Sequence, residues 1–236
     1  MNDERIKLFC IPFSGGNGYS YTAFRQHLAE NIEMINLELP GRGKRISEPL
    51  LTNVEEMTAD LYGQIRDSLN KPYAIYGHSL GALLGYTLCR YISENGDNLP
   101  LILIFSGQNF PSFIENDEKY KMPDDEFINI LREMEGTPEE LLSDRNFTRF
   151  FLPVIRADFQ AAGTYSYSPP RKKLEIPVSV MLGSNEKIED EEAAHWQLET
   201  TGAVSIDRFE GGHFFIYAHT EDICRLISEK IEIAAL

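Results

Sequence analysis

Tyr73-Ala74-Ile75-Tyr76-Gly77-His78-Ser79-Leu80-Gly81-Ala82-Leu83-Leu84-Gly85-Tyr86 opens as a short strand and closes as a helix, with a serine between two glycines at the join. Pro72 and Gly77 bound an apolar run of strand length. From Leu80 to Ser93 apolar residues recur almost all round a helix, so this helix is expected to be buried. A Gly-x-Ser-x-Gly pattern alone is weak. Set between a strand and a helix, it reads as a sharp turn that lifts the serine oxygen clear of the backbone, with glycines where side chains would collide with the neighbouring strand and helix.

The flanking sequence repeats the alternation. Ile6–Ile11 and Met34–Leu39 read as strands, each stopped by a proline, and Tyr21–Asn31 between them reads as a helix. Asn53, with Glu56 three residues on, starts a helix that runs to about Leu69. Leu101–Phe105, Val178–Leu182 and Val204–Phe209 are further strands, with helices at Glu191–Thr200 and Glu221–Ala234. Strands apolar on both faces and alternating with helices imply a mostly parallel sheet covered on both sides, an α/β class fold, and the serine turn Gly77–Gly81 between strand and helix resembles that of the α/β-hydrolase fold. Residues 111–170 break the order with short helices at Asp124–Met134, Pro138–Leu142 and Asn146–Ala161. They are expected to form a helical lid inserted into a single domain of residues 1–236, over the sheet edge where ligands bind in such folds.

Composition narrows the function. The chain has 236 residues and a net charge of −15, which disfavours nucleic acid and anionic membranes as partners. No apolar run is long enough to span a bilayer, and the charged start MNDERIK does not read as a secretory signal. Cys10, Cys89 and Cys224 stand alone without metal-ligand spacing and read as reduced core residues of a cytoplasmic protein.

A serine hydroxyl attacks only when a base removes its proton. Of five histidines, His213 follows Gly211-Gly212 just past the last strand, on a loop at the same sheet edge as Ser79. It is the expected general base. The acid that orients the imidazole is expected after the preceding strand, in Gly183-Ser184-Asn185-Glu186-Lys187-Ile188-Glu189-Asp190. Glu186 has the expected spacing, and Asp190 is the alternative, although it also reads as a helix cap. Two N–H donors are needed for the oxyanion: Leu80, after the serine, and Ser14 in Pro12-Phe13-Ser14-Gly15-Gly16, with Phe13 as second choice.

Taken together, these residues resemble the type II, editing thioesterases of nonribosomal peptide and polyketide synthesis. The resemblance runs through Cys10–Gly16, Leu39-Pro40-Gly41-Arg42-Gly43-Lys44-Arg45, Gly77–Gly81, Met122–Phe127, Leu152–Phe159 and Phe209–Phe215. Glu186 departs from the family's usual aspartate. The resemblance implies a thioester on the phosphopantetheine arm of an acyl or peptidyl carrier protein as substrate. It implies no metal or redox cofactor, the pantetheine belonging to the carrier. Phe110, Phe113, Tyr120, Met122, Phe127, Met134, Phe147, Phe150, Phe151, Tyr165 and Tyr167 of the lid could line an acyl pocket, although most of them are expected to pack the lid onto the sheet. Arg156 and Asp158 match the family motif and read as a structural pair. Arg42-Gly43-Lys44-Arg45 and Arg171-Lys172-Lys173 are the dense basic clusters; they read either as solvated loops or, for the first, which follows a strand end at the active-site edge, as a carrier-docking patch. The rival readings are an esterase of small soluble esters and a catalytically silent protein that binds a carrier.

Overall fold

The computed structural model describes residues 5–114, 117–134, 136–169 and 172–236. In chain order the elements are β1 (Ile6–Ile11), β2 (Ile32–Asn36), α1 (Val54–Ile65), β3 (Tyr73–His78), α2 (Leu80–Asn95), β4 (Leu103–Ser106), α3 (Asp124–Glu133), α4 (Glu139–Leu142), α5 (Arg145–Thr164), β5 (Val178–Gly183), α6 (Asp190–Ala193), β6 (Val204–Phe209), α7 (Phe215–Ala218) and α8 (Thr220–Ala234). The strands form one six-stranded sheet in the order β2-β1-β3-β4-β5-β6, every neighbouring pair parallel. Chain order reverses between β1 and β3, so the crevice at their C-terminal ends is the topological switch point.

The continuous apolar runs explain the central strands. Every residue of β3, β4 and β5 is buried, as a parallel strand covered on both faces requires. One apolar cluster joins α1 and α2 to the sheet; a second joins the other face to α8 and to Tyr21 and Phe24. The start of α1 is set by Asn53, whose side chain accepts a hydrogen bond from the Glu56 N–H at 2.8 Å, a cap worth about 1 kcal/mol.

Three expected elements differ. Tyr21–Asn31 is not an α-helix; only Thr22–Gln26 coils, as a 3₁₀ turn. Tyr21 and Phe24 are three residues apart, and a three-residue repeat puts both rings on one side, against Tyr76 at 5.2 and 5.6 Å. The second strand is Ile32–Asn36 rather than Met34–Leu39, because its partner β1 pairs from Ile6↔Ile32 to Cys10↔Asn36. Glu191–Thr200 divides into the short α6 and a 3₁₀ turn over Ala194–Leu198, which turns Trp196 fully into the core. The helices α3, α4 and α5 do fall between β4 and β5, at the C-terminal edge where Ser79 lies.

Candidate active site

Ser79 occupies the turn between β3 and α2 with φ 54° and ψ −121°, and among the described residues it is the non-glycine residue with positive φ. Such a conformation costs about 1–3 kcal/mol and persists only where its surroundings impose it. Close approach imposes it here. A Cβ on Gly77 would lie 2.1 Å from the Gly81 carbonyl oxygen, and one on Gly81 would lie 2.2 Å from that of Ile11. The helix therefore starts in contact with both β3 and the end of β1, and the Ser79 N–H is fixed to Ser106 O at 2.8 Å.

His213 stands on the loop after β6 and half-buried beside Ser79 in the same cavity. Its Nδ1 lies 2.7 Å from Oε1 of Glu186. A carboxylate can only accept, so in the neutral imidazole Nδ1 carries the proton and Nε2 is the acceptor. The other oxygen of Glu186 accepts from the Gly183 N–H at 2.7 Å, which anchors the carboxylate to its own strand end. Nε2 of His213 is buried and has no hydrogen-bond partner among the described residues. The alternative acid, Asp190, is elsewhere: it begins α6, is largely exposed and takes a hydrogen bond from Arg208 at 2.8 Å. The structure thus brings Glu186, and not Asp190, to His213.

Behind His213 lies His78, fully buried, with ring centroids 4.8 Å apart. Nδ1 of His78 is 3.0 Å from Ser106 Oγ, which in turn is 2.9 Å from the Tyr76 hydroxyl. Burial, reinforced by the neighbouring His213, holds the His78 pKa well below its ordinary value, so this ring is neutral. His78 is not among the residues that line the cavity holding Ser79 and His213.

Both expected oxyanion donors border the cavity edge. Leu80 is the first residue of α2, where an N–H has no intrahelical acceptor. Ser14 follows β1 and lines the same space as Ser79. Its neighbours are committed: the Gly15 N–H donates to Asp158 Oδ2 at 2.7 Å and the Gly16 N–H to Phe13 O at 2.8 Å. The Ser14 and Leu80 N–H groups make no hydrogen bond among the described residues.

The cavity in front of Ser79 and His213 has a volume of about 270 Å³. Its walls are largely apolar: Phe13 and Phe214 from the sheet side, Leu131 and Met134 from α3 and its end, and Phe147, Phe151, Ile155 and Phe159 from α5. Met134, Phe147 and Phe151 thus join the pocket as expected. Phe110 and Phe127 are instead packed into apolar clusters, and Phe150 points to solvent with 76% exposure.

Two sequence expectations about charge need correction. Arg42 is no surface cation: it is 4% exposed and forms a two-pronged ion pair with the fully buried Asp158, both N–O distances 2.7 Å. Arg45 is likewise engaged, by Glu48 and Asp60, which leaves Lys44 as the exposed cation of that cluster. Asp158 accordingly pairs with Arg42, not Arg156. Arg156 binds Asp124 at 2.7 Å and covers the Phe127 ring, tying α5 to α3. In the other basic cluster Arg171 lies outside the described residues, while Lys172 pairs with Glu175 and Lys173 donates to Gln197 O. The Arg42–Asp158 link was missed because its residues are far apart in sequence; the signal was a proline-glycine-arginine run and an acid inside an otherwise apolar helix face.

A parallel sheet with a strained serine turn after β3, a carboxylate after β5 and a histidine after β6 defines an α/β-hydrolase. The thioesterase domain family matches residues 6–231, and the chain belongs to it. It is 30% identical over 231 residues to the gramicidin S biosynthesis protein GrsT of Aneurinibacillus migulanus, covering 97% of this chain and 90% of that protein. Thioesterase PikA5 of Streptomyces venezuelae is also 30% identical, over 97% of this chain and 82% of its own length. Among solved structures, ClbQ from the colibactin NRPS/PKS pathway superposes with a TM-score of 0.92 at 30% identity, covering 98% of each chain. The type II thioesterase BorB from the borrelidin biosynthetic cluster gives 0.87 at 31% identity, over 96% of this chain and 93% of that one. The chain is a hydrolase of thioester bonds.

Proposed function

We propose that this thioesterase hydrolyses acyl groups from the phosphopantetheine arm of acyl or peptidyl carrier proteins, clearing stalled or aberrant chains from a nonribosomal peptide or polyketide synthase. The observation that carries the chemistry is the His213–Glu186 contact of 2.7 Å at the same apolar cavity as Ser79. The substrate class is supported by relatives: GrsT of gramicidin S biosynthesis, ClbQ of the colibactin NRPS/PKS pathway and the type II thioesterase BorB of the borrelidin biosynthetic cluster.

In this reading His213 Nε2 takes the Ser79 proton as Oγ attacks the thioester carbonyl. Glu186 holds the ring in the correct tautomer and offsets the imidazolium charge. The oxyanion is held by the N–H groups of Leu80 and Ser14. The intermediate collapses with loss of the pantetheine thiol, which receives the proton from His213. Water, deprotonated by His213, then cleaves the acyl-enzyme and frees the acid. The helices between residues 111 and 170 act as the lid that shields this acyl-enzyme. Phe147, Phe151 and Ile155 offer the acyl chain an apolar wall.

The proposal includes a cytoplasmic location, which three free buried cysteines suit; among the described residues no helix is long and apolar enough to cross a membrane. The test is hydrolysis of an acylated carrier protein beside a small acyl ester of the same chain. A large preference for the carrier supports the reading, and equal rates would make the chain a general esterase. Failure of a fluorophosphonate to label Ser79 would leave it a silent carrier-binding protein.

A further inference from the structure

Asp158 is a carboxylate with no exposure at all, on the face of α5 turned to the sheet edge. Arg42 meets it with two hydrogen bonds of 2.7 Å, and Oδ2 takes a third, also 2.7 Å, from the Gly15 N–H. Nη1 of Arg42 reaches 3.4 Å from the carbonyl oxygen of Gly16. A buried ion pair is poor evidence of stabilisation, because desolvating both charges offsets their attraction and an apolar pair of the same volume would serve as well. The distinctive feature is what this pair grips: the Ser14–Gly15 peptide by its N–H and the Gly16–Asn17 peptide by its carbonyl oxygen.

That loop carries Ser14, whose N–H is a proposed oxyanion donor. Gly15 adopts φ +76°, and a Cβ there would lie 2.9 Å from the Phe151 ring and 3.3 Å from Ile155 Cδ1. The loop is thus pressed against α5 by packing and tied to it by hydrogen bonds. Its remaining internal bond, Gly16 N–H to Phe13 O, closes a turn around Ser14. Phe13 O and Ser14 N–H share one trans peptide, so the Gly16 N–H that holds Phe13 O also sets the direction of the Ser14 N–H, and the bonds from Gly15 N–H to Asp158 and from Arg42 to Gly16 O tie that turn to α5.

We infer that Asp158, held by Arg42, is a positioning residue for the oxyanion hole: it fixes the Gly15 N–H so that the Ser14 N–H points at the reacting carbonyl only while α5 is seated. The inference rests on the assignment of Ser14 as a donor. It makes catalytic competence depend on lid helix α5, so that an acyl group is cleaved only under a closed wall. A misplaced oxyanion donor weakens transition-state binding and leaves ground-state binding nearly intact.

The experiment compares the wild type with the double variant Arg42→Met with Asp158→Leu, which removes both charges together, and with Arg42→Lys, which keeps them and loses the two-pronged geometry. Each is assayed for kcat and KM on an acyl-pantetheine thioester. Each is also titrated with an alkyl boronic acid, whose adduct on Ser79 puts an oxygen in the oxyanion hole. Melting curves restrict comparison to cooperatively folded protein. For the double variant kcat should fall about 30- to 100-fold with KM changed less than about threefold, and boronate affinity should fall in parallel. Arg42→Lys should lie between, with kcat down about three- to tenfold. Full kcat and full boronate affinity in either folded variant would overturn the inference, as would a loss confined to KM. If the double variant does not fold, Arg42→Lys alone decides. The boronate reads the hole whatever the natural substrate is, so a wild type inactive on acylated carrier protein would sink the proposed function while leaving this test intact.

Discussion

His213 and Glu186 leave the sheet on different strands, yet Nδ1 of one and Oε1 of the other are 2.7 Å apart. The register makes this possible. Gly183 pairs with Phe209 across β5 and β6, so the two loops start side by side. A Cβ on Gly183 would lie 2.5 Å from the Gly212 carbonyl oxygen, which is how closely they run. The longer glutamate side chain is taken up by a turn in which the Glu186 N–H bonds back to Gly183 O at 3.2 Å. The carboxylate thus reaches the imidazole from a backbone position drawn back toward the strand.

Glu186→Gln should therefore lower kcat by about 10²- to 10⁴-fold, because an amide can present its NH₂ and reverse the imidazole tautomer. Asp190→Asn should stay within about twofold, since that carboxylate serves Arg208. Single-turnover acylation of the two variants is the measurement. The opposite ranking would remove Glu186 from the mechanism.

Ser79→Ala should reduce thioester hydrolysis by at least about 10⁴-fold and abolish covalent labelling by a fluorophosphonate. The fold should survive, since the strained turn is imposed by the packing at Gly77 and Gly81 rather than by the hydroxyl. Retention of more than about a tenth of the activity would refute the assignment.

His78 gives stability a pH dependence of known sign. Its folded pKa is depressed by burial, while the unfolded chain titrates near the ordinary 6.5. Between these values the unfolded state binds the extra proton, so stability is fully present above about pH 6.5 and declines as pH falls through it, by up to about 1.4 kcal/mol per unit. Denaturant melts from pH 7.5 to 5.5 should show this fall reduced by about 0.7 kcal/mol per unit on average in His78→Asn. Identical slopes would mean that the folded ring takes up its proton over the same pH range as the unfolded chain, and so is not held neutral by burial.

Arg42→Glu should act on stability and on both substrate types alike. The sequence reading would have it weaken carrier binding alone, but a glutamate there would sit buried against Asp158. Losing the partner of a buried charge costs about 3–5 kcal/mol, a fall in Tm of about 10 °C for a chain of this size. Scanning calorimetry checks it. A fully stable variant with a raised KM for carrier-borne substrate would restore the docking role.

The helices between residues 111 and 170 should exchange amide hydrogens faster than the Tyr73–Phe105 core, but unevenly. In α3 few side chains are buried, Phe127 and Leu131, whereas α5 buries Leu152, Ile155, Asp158 and Ala161 and is tied to the sheet edge by Arg42. Hydrogen exchange should therefore find α3 and α4 open well before the second half of α5. Uniform protection from α3 to α5 would contradict a lid that moves in parts.

Local pattern made much of this protein legible in its sequence. Buried parallel strands need continuous apolar runs, so β3, β4 and β5 could be placed to within a residue or two. The steric demand for glycine around a strained serine turn, and the fixed order of serine, acid and histidine in this fold, point from the sequence to Ser79, to His213 and to an acid at Glu186 or Asp190. Tertiary structure decided what depends on distant partners. Whether Glu186 or Asp190 meets the imidazole follows from strand register and from Arg208 claiming the aspartate. Whether Tyr21–Asn31 coils as an α-helix follows from two rings seeking Tyr76. Whether Arg42 faces solvent or an acid follows from where α5 settles, 116 residues further along the chain. Composition around Arg42 reads as a surface loop. Only the folded chain supplies the buried carboxylate that makes a desolvated guanidinium tolerable.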